Sequence, residues 1–214
     1  VMIDYVELRS KRNRGWPWPE DSFGLTPMYG ESGWCRSCGM PLDVQTGPLV
    51  LQHKGLTAKG AWVPNWQFDA ICLESSLAER LASSFELEMR AVEAPGGGAI
   101  DGVMQIVVPS VGRAWFDRDQ LQAKAIQTHG SAGSRCDDCR RWRWLPLSFA
   151  PMPPPFGTLP PLGVDALTLD VDIAASPEWF GDGWNCFRQI LVRRELAEII
   201  AQESPRDFKV NEVV

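Results

Sequence analysis

Two Cys-x-x-Cys pairs constrain this chain more than any other feature. Cys35 and Cys38 form the first, Cys136 and Cys139 the second, and 97 residues lie between them. A two-residue spacer lets a tight turn aim both sulfurs at one ion about 2.3 Å away, and four thiolates complete a closed tetrahedral site. Gly39 follows the first pair, at a position where such a turn favours φ > 0, and Arg140 holds that place after the second. A closed site has no open position for catalysis, so the expected ion is one structural zinc. Redox-active dithiols and unmetallated cysteines are the competing readings. A thioredoxin-type site sets one Cys-x-x-Cys at a helix N-terminus after a strand, and neither pair has that setting.

The 214 residues, 44% hydrophobic and 22% charged, suffice to bury a core without staples, so zinc would organise part of the fold rather than all of it. A net charge of -6 and a pI of about 5.0 argue against a general nucleic-acid binder and suit a basic partner. The opening VMIDYVELRSKRNR runs apolar then basic, the reverse of a signal peptide, and no apolar run approaches the ~18 residues of a membrane helix. The expected location is the cytoplasm, where paired cysteines point to metal before disulfide.

Periodicity predicts a strand over 2–8, with Val6 and Leu8 on one face and Tyr5 on the other. Further strands are expected at 48–52, 66–73, 85–92 and 103–108, with a helix from Ser75 or Ser76 to Ser84 whose Leu77, Ala78 and Leu81 share a face. Gly96 to Gly98 reads as a turn, and APMPPPFGTLPPLG as an extended connector. Alternation over 166–173 predicts a strand with Leu167, Leu169, Val171 and Ile173 inward; a strand at 187–192, a helix at 194–203 and a strand at 208–213 close the chain.

Two stretches repeat this order of elements. Aligning Ile71 with Ile190 makes Leu77, Ala78, Glu79 and Ala82 identical to Leu196, Ala197, Glu198 and Ala201, and each stretch follows a Cys pair and a Pro-Leu step. The expected fold is α+β: two similar strand–helix–strand halves, 1–112 and 113–214, packed as one compact unit and bridged by the four cysteines.

Other chemistry is sparse. Cys72 and Cys186 read as buried core thiols, and His53 and His129 as surface histidines, although His129 could replace a thiolate. No Gly-x-Ser-x-Gly elbow or phosphate loop is present, so no enzyme is expected. RCDDCRRWRW mixes Arg140, Arg141 and Arg143 with Trp142 and Trp144 and could grip nucleic acid; the preferred reading is a strand with tryptophans inward and arginines outward or lying across the rings. Among ten tryptophans, Trp16 and Trp18 sit in a proline-broken segment and are either core or an interaction hot spot.

The two Cys-x-x-Cys sites, glycine after the first, and the C-terminal ILVRRELAEII run resemble the double-CxxCG motif family of social soil bacteria. The motif falls on Cys35, Cys38 and Gly39, then on Cys136 and Cys139; Arg140 stands where the second motif would carry glycine. The resemblance implies a non-catalytic immunity protein that neutralises a cognate protein toxin. Acidic charge would speed capture of a basic toxin, with Asp170, Asp172 and Asp182 as candidate contacts. The alternative is a zinc-ribbon-like nucleic-acid-binding or transcription accessory protein.

Overall fold

The computed structural model describes residues 4–147, 159–163, 166 and 170–213. In chain order the elements are β1 (Tyr5–Ser10), a 3-10 turn (Glu20–Ser22), α1 (Leu25–Tyr29), β2 (Ala61–Trp62), β3 (Ile71–Glu74), α2 (Ser75–Ala82), β4 (Met89–Glu93) and β5 (Ala99–Ile106). Then come α3 (Arg118–His129), β6 (Gly133–Arg135), β7 (Trp142–Trp144), β8 (Ile173–Phe180), β9 (Phe187–Arg193), α4 (Arg194–Glu203) and β10 (Phe208–Asn211). The fold is mixed α+β. One sheet has the order β10-β1-β9-β8-β7-β6 and the other β2-β3-β5-β4. Every pairing inside them is antiparallel except β7 with β8.

The two-residue period of each strand sorts its side chains between clusters. Val6 and Leu8 of β1, Ile71 and Leu73 of β3, and Ile190 and Val192 of β9 enter the largest cluster. Tyr5 and Leu191 face a second cluster on the opposite side of the six-stranded sheet, and Cys72 faces a third behind the four-stranded one. Helices α2 and α4 follow their strands without a linker and bury Leu77, Ala78 and Leu81, and Leu196, Ala197 and Ile200, in that same largest cluster. Each such leucine contributes roughly 1.5–3 kcal/mol by leaving water. The Ala61 amide of β2 donates to Ser204 Oγ at the end of α4 (2.6 Å), tying one sheet to the other's helix.

Several expectations move. β1 lies between β9 and β10, so the sheet holding the C-terminal strands includes a strand from the first half, and the boundary at 112/113 is not a sheet boundary. The strand expected over 66–73 starts only at Ile71 and runs to Glu74, because the chain is still turning at Trp66, whose φ is +61°, and the Ala70 amide closes a turn on Gln67 O. The 85–92 strand begins at Met89, and 48–52 makes isolated bridges at Val50 and Leu51. β8 starts at Ile173, where the expected 166–173 strand ends; Leu167, Leu169 and residues 150–158 of the connector lie outside the described residues. Pro177 breaks the alternation and sits where the β8–β9 register shifts, a bulge that accommodates proline. Helix α3 was not expected: it buries only Leu121 and Ala125, too few to write a stripe.

Candidate metal centre

Each Cys pair sits at the tip of a narrow antiparallel ribbon. Trp34 bridges Pro41 around the first pair, and Arg135 pairs with Trp142 around the second. Both turns close with the same two bonds. The Cys35 amide donates to Met40 O and the Gly39 amide to Cys35 O, each 2.8 Å; the Cys136 amide donates to Arg141 O and the Arg140 amide to Cys136 O, each 3.0 Å. That closure requires a left-handed residue after each pair, and Gly39 (φ +72°) and Arg140 (φ +60°) both supply it.

The two tips meet. Cys35 and Cys136 sulfurs are 3.8 Å apart, Cys38 and Cys139 sulfurs 3.7 Å, and all four lie within 4.8 Å of one another. A tetrahedron with metal–sulfur arms of about 2.3 Å has edges of about 3.8 Å, so the donor set fits one metal ion. All four are free thiols, and the two cross-pair separations are well beyond the about 2.05 Å of bonded sulfurs. Backbone amides of Cys139 and then Asp138 pull the Cys136 thiol down to about 7, partly opposed by burial. Burial pushes Cys38 and Cys139 up against the Met40 and Arg141 amides. A divalent cation among the sulfurs would remove that penalty. Between the tips, Ser37 Oγ donates to the Asp138 carboxylate and Arg141 Nη2 to Leu42 O (2.9 Å).

The 181–186 loop packs on this junction. Trp184 Nε1 donates to Arg36 O (2.8 Å), and its ring lies so close to Gly39 that a Cβ there would meet it at 3.2 Å. Cys186, expected in a core, instead borders the sulfur cluster: it donates to Cys38 O (3.3 Å), and burial raises its thiol to about 11. Arg143 also turns inward. In β7 it is Trp142 that faces out, while Arg143 and Trp144 are buried, which reverses the expected tryptophan-in, arginine-out order for two of the three residues. Cys72 is buried as expected.

From Trp184 a row of aromatic rings extends across the surface. Phe23 lies 5.0 Å from Trp184 and 4.8 Å from Trp66, and Trp34 meets Trp184 edge-on at 5.7 Å. Phe23 and Trp66 both hold left-handed backbone, φ +47° and +61°, a strain of about 1–3 kcal/mol each that concentrates at functional surfaces. Trp66 is 39% exposed, Trp16 52% and Trp18 41%. Trp16, Pro17, Glu20, Phe23 and Gln52 line a cavity of about 330 Å³ at the end of the row. The packing reading of Trp16 and Trp18 therefore gives way to an exposed aromatic surface. Its left-handed members carry no local sequence signal, since neither is Gly, Asn or Asp.

Among the acids proposed as contacts, Asp170 and Asp182 are exposed. Asp172 is corrected: it is 8% exposed, ion-pairs with Arg193 (2.6 Å) and accepts the Glu86 amide (2.6 Å), so it is a structural carboxylate. His129 ends α3 with Nε2 2.7 Å from Pro146 O, outside the sulfur cluster, and His53 is exposed. No described helix is long and apolar enough to cross a membrane. In comparisons with family models, curated proteins and solved structures, nothing matches this chain.

Proposed function

We propose that this chain is a non-catalytic binding protein, organised by one structural zinc ion, that captures a basic protein toxin as its immunity protein. The observation that carries this reading is the aromatic row braced against the first Cys turn, running from half-buried Trp184 and Phe23 to exposed Trp66. Four thiolates favour zinc over harder cations and leave it no open position, which suits a structural role. Holding Gly39 and Arg36 in place holds Trp184, and through it Phe23 and Trp66. Tryptophans are the residues most enriched at binding hot spots. Glu20 beside the Trp16 cavity, exposed Asp21 and a net charge of -6 favour a partner with Lys or Arg side chains that stack on the rings. The toxin assignment itself rests on the resemblance of the cysteine motifs and the C-terminal run.

We also propose that the protein is an internal duplication in which β1 completes the second unit. On the Ile71–Ile190 alignment, the strand-to-helix junctions Glu74/Ser75 and Arg193/Arg194 coincide. The order β2-β3-β5-β4 then matches β8-β9-β1-β10, with antiparallel pairing throughout.

The test is calorimetric titration of the zinc-loaded protein with the product of the neighbouring reading frame. One-to-one, salt-sensitive binding is expected, weakened at least tenfold in Trp16→Ala/Trp66→Ala while zinc content is unchanged. Absence of binding, or a salt-dependent mobility shift with DNA or RNA through exposed Arg140, Arg141 and Trp142, would replace this reading with the nucleic-acid one.

A further inference from the structure

Arg143 is the least expected side chain beside the sulfur cluster. It is 6% exposed, yet none of the ion pairs among the described residues includes it. Its partners are neutral: Nη1 donates to Gly183 O (2.6 Å), Asn185 O (3.2 Å) and Cys38 O (3.4 Å), and lies 3.6 Å from Cys186 Sγ. Nε is buried with no acceptor among the described residues. A buried guanidinium facing only carbonyls and a thiol costs several kcal/mol unless a negative charge lies close by. Four thiolates around one divalent ion leave a net charge of roughly -2, and Arg143 touches the backbone of one of those four cysteines.

We infer that Arg143 is the counter-cation of the metal centre, a positioning residue that offsets the excess negative charge of the four thiolates and pins the 183–186 loop to the first Cys turn. The two anomalies, an unpaired buried cation and a buried cluster of ligands with surplus negative charge, resolve each other. Cys186 adds a hydrogen bond to Cys38 O on the same side of the turn. Arg143 thus couples the metal to Trp184, because the loop it holds carries that ring into the aromatic row.

This assignment rests on the zinc reading, and the experiment separates the two. Zinc content of the purified wild-type protein is measured first by elemental analysis, and then zinc affinity by competition with a chromophoric chelator. Arg143→Met is expected to weaken zinc binding 10–100-fold, the usual cost of losing an outer-sphere partner, whereas Arg143→Lys stays within about threefold of wild type. Melting of zinc-loaded and zinc-free forms is compared for each variant: the loss in Arg143→Met is expected to be larger in the loaded form. If Arg143→Met does not fold, Arg143→Gln, which keeps a donor for the loop carbonyls without the charge, carries the same comparison. Zinc affinity unchanged in the uncharged variant, or equal melting losses with and without zinc, makes Arg143 a loop clamp only and overturns the inference. A wild-type protein that neither contains nor takes up zinc overturns the metal reading itself.

Discussion

The two Cys turns are alike in hydrogen bonding and unlike in surroundings. Both close through an amide on the cysteine carbonyl and a left-handed residue, but Gly39 is roofed by the Trp184 ring while Arg140 is exposed to solvent. The backbone demand is therefore equal, and only the first turn adds a steric demand. Glycine is needed where a ring lies against the Cα. Where the turn faces water, arginine meets the same φ at a strain of order 1–3 kcal/mol. Departure from the motif at Arg140 thus says nothing against a metal-competent second turn.

Replacing a ligand has the largest expected effect. Cys38→Ser and Cys136→Ser should each abolish zinc retention, measured by elemental analysis, and lower Tm by more than ten degrees; structural zinc in small modules is worth an apparent ~10–16 kcal/mol, a ceiling for this larger chain. Zinc retained in one variant and lost in the other would mean that the turns do not share an ion. Next come the helix anchors. Leu77→Ala and Leu196→Ala should each cost about 2–5 kcal/mol in urea unfolding, because both leave a cavity in one shared cluster. Costs differing by more than ~2 kcal/mol would break the equivalence of α2 and α4.

Smaller effects separate the turns themselves. Gly39→Ala should destabilise by about 1–3 kcal/mol and change the near-ultraviolet dichroism of the tryptophans, since its Cβ strikes Trp184 in a backbone that already disfavours it. Arg140→Gly should leave that spectrum unchanged and raise stability by no more than about 1 kcal/mol, relief of the left-handed strain being offset by the freer unfolded chain. Equal effects at the two positions would show that Trp184 does not roof the first turn in solution.

Period-bearing segments were legible in the chain. Arg194–Glu203 is a helix over the span expected, and Val6, Leu8 and Tyr5 divide between faces as their alternation predicts. α3 writes no apolar stripe, and its only local marks are its ends: Asp117 accepts the Gln120 amide (2.9 Å) and Gly130 closes it in left-handed backbone. Asp172 reads as a candidate contact by its charge alone, because the Arg193 guanidinium and Glu86 amide that draw it inward are remote in sequence.

What the residues alone determined is whatever repeats at short range: the helix and strand faces and the aim of each sulfur pair, since two bonds inside six residues close each turn. Tertiary structure alone decided what depends on distant partners. It brought the two turns together and sent Arg143 inward beneath them. It inserted β1 between β9 and β10, and it laid Trp184 on Gly39 to carry the aromatic row outward. Each of those outcomes is a packing or charge-balance solution between segments about 100 or more residues apart, and local periodicity holds no record of which segments will meet.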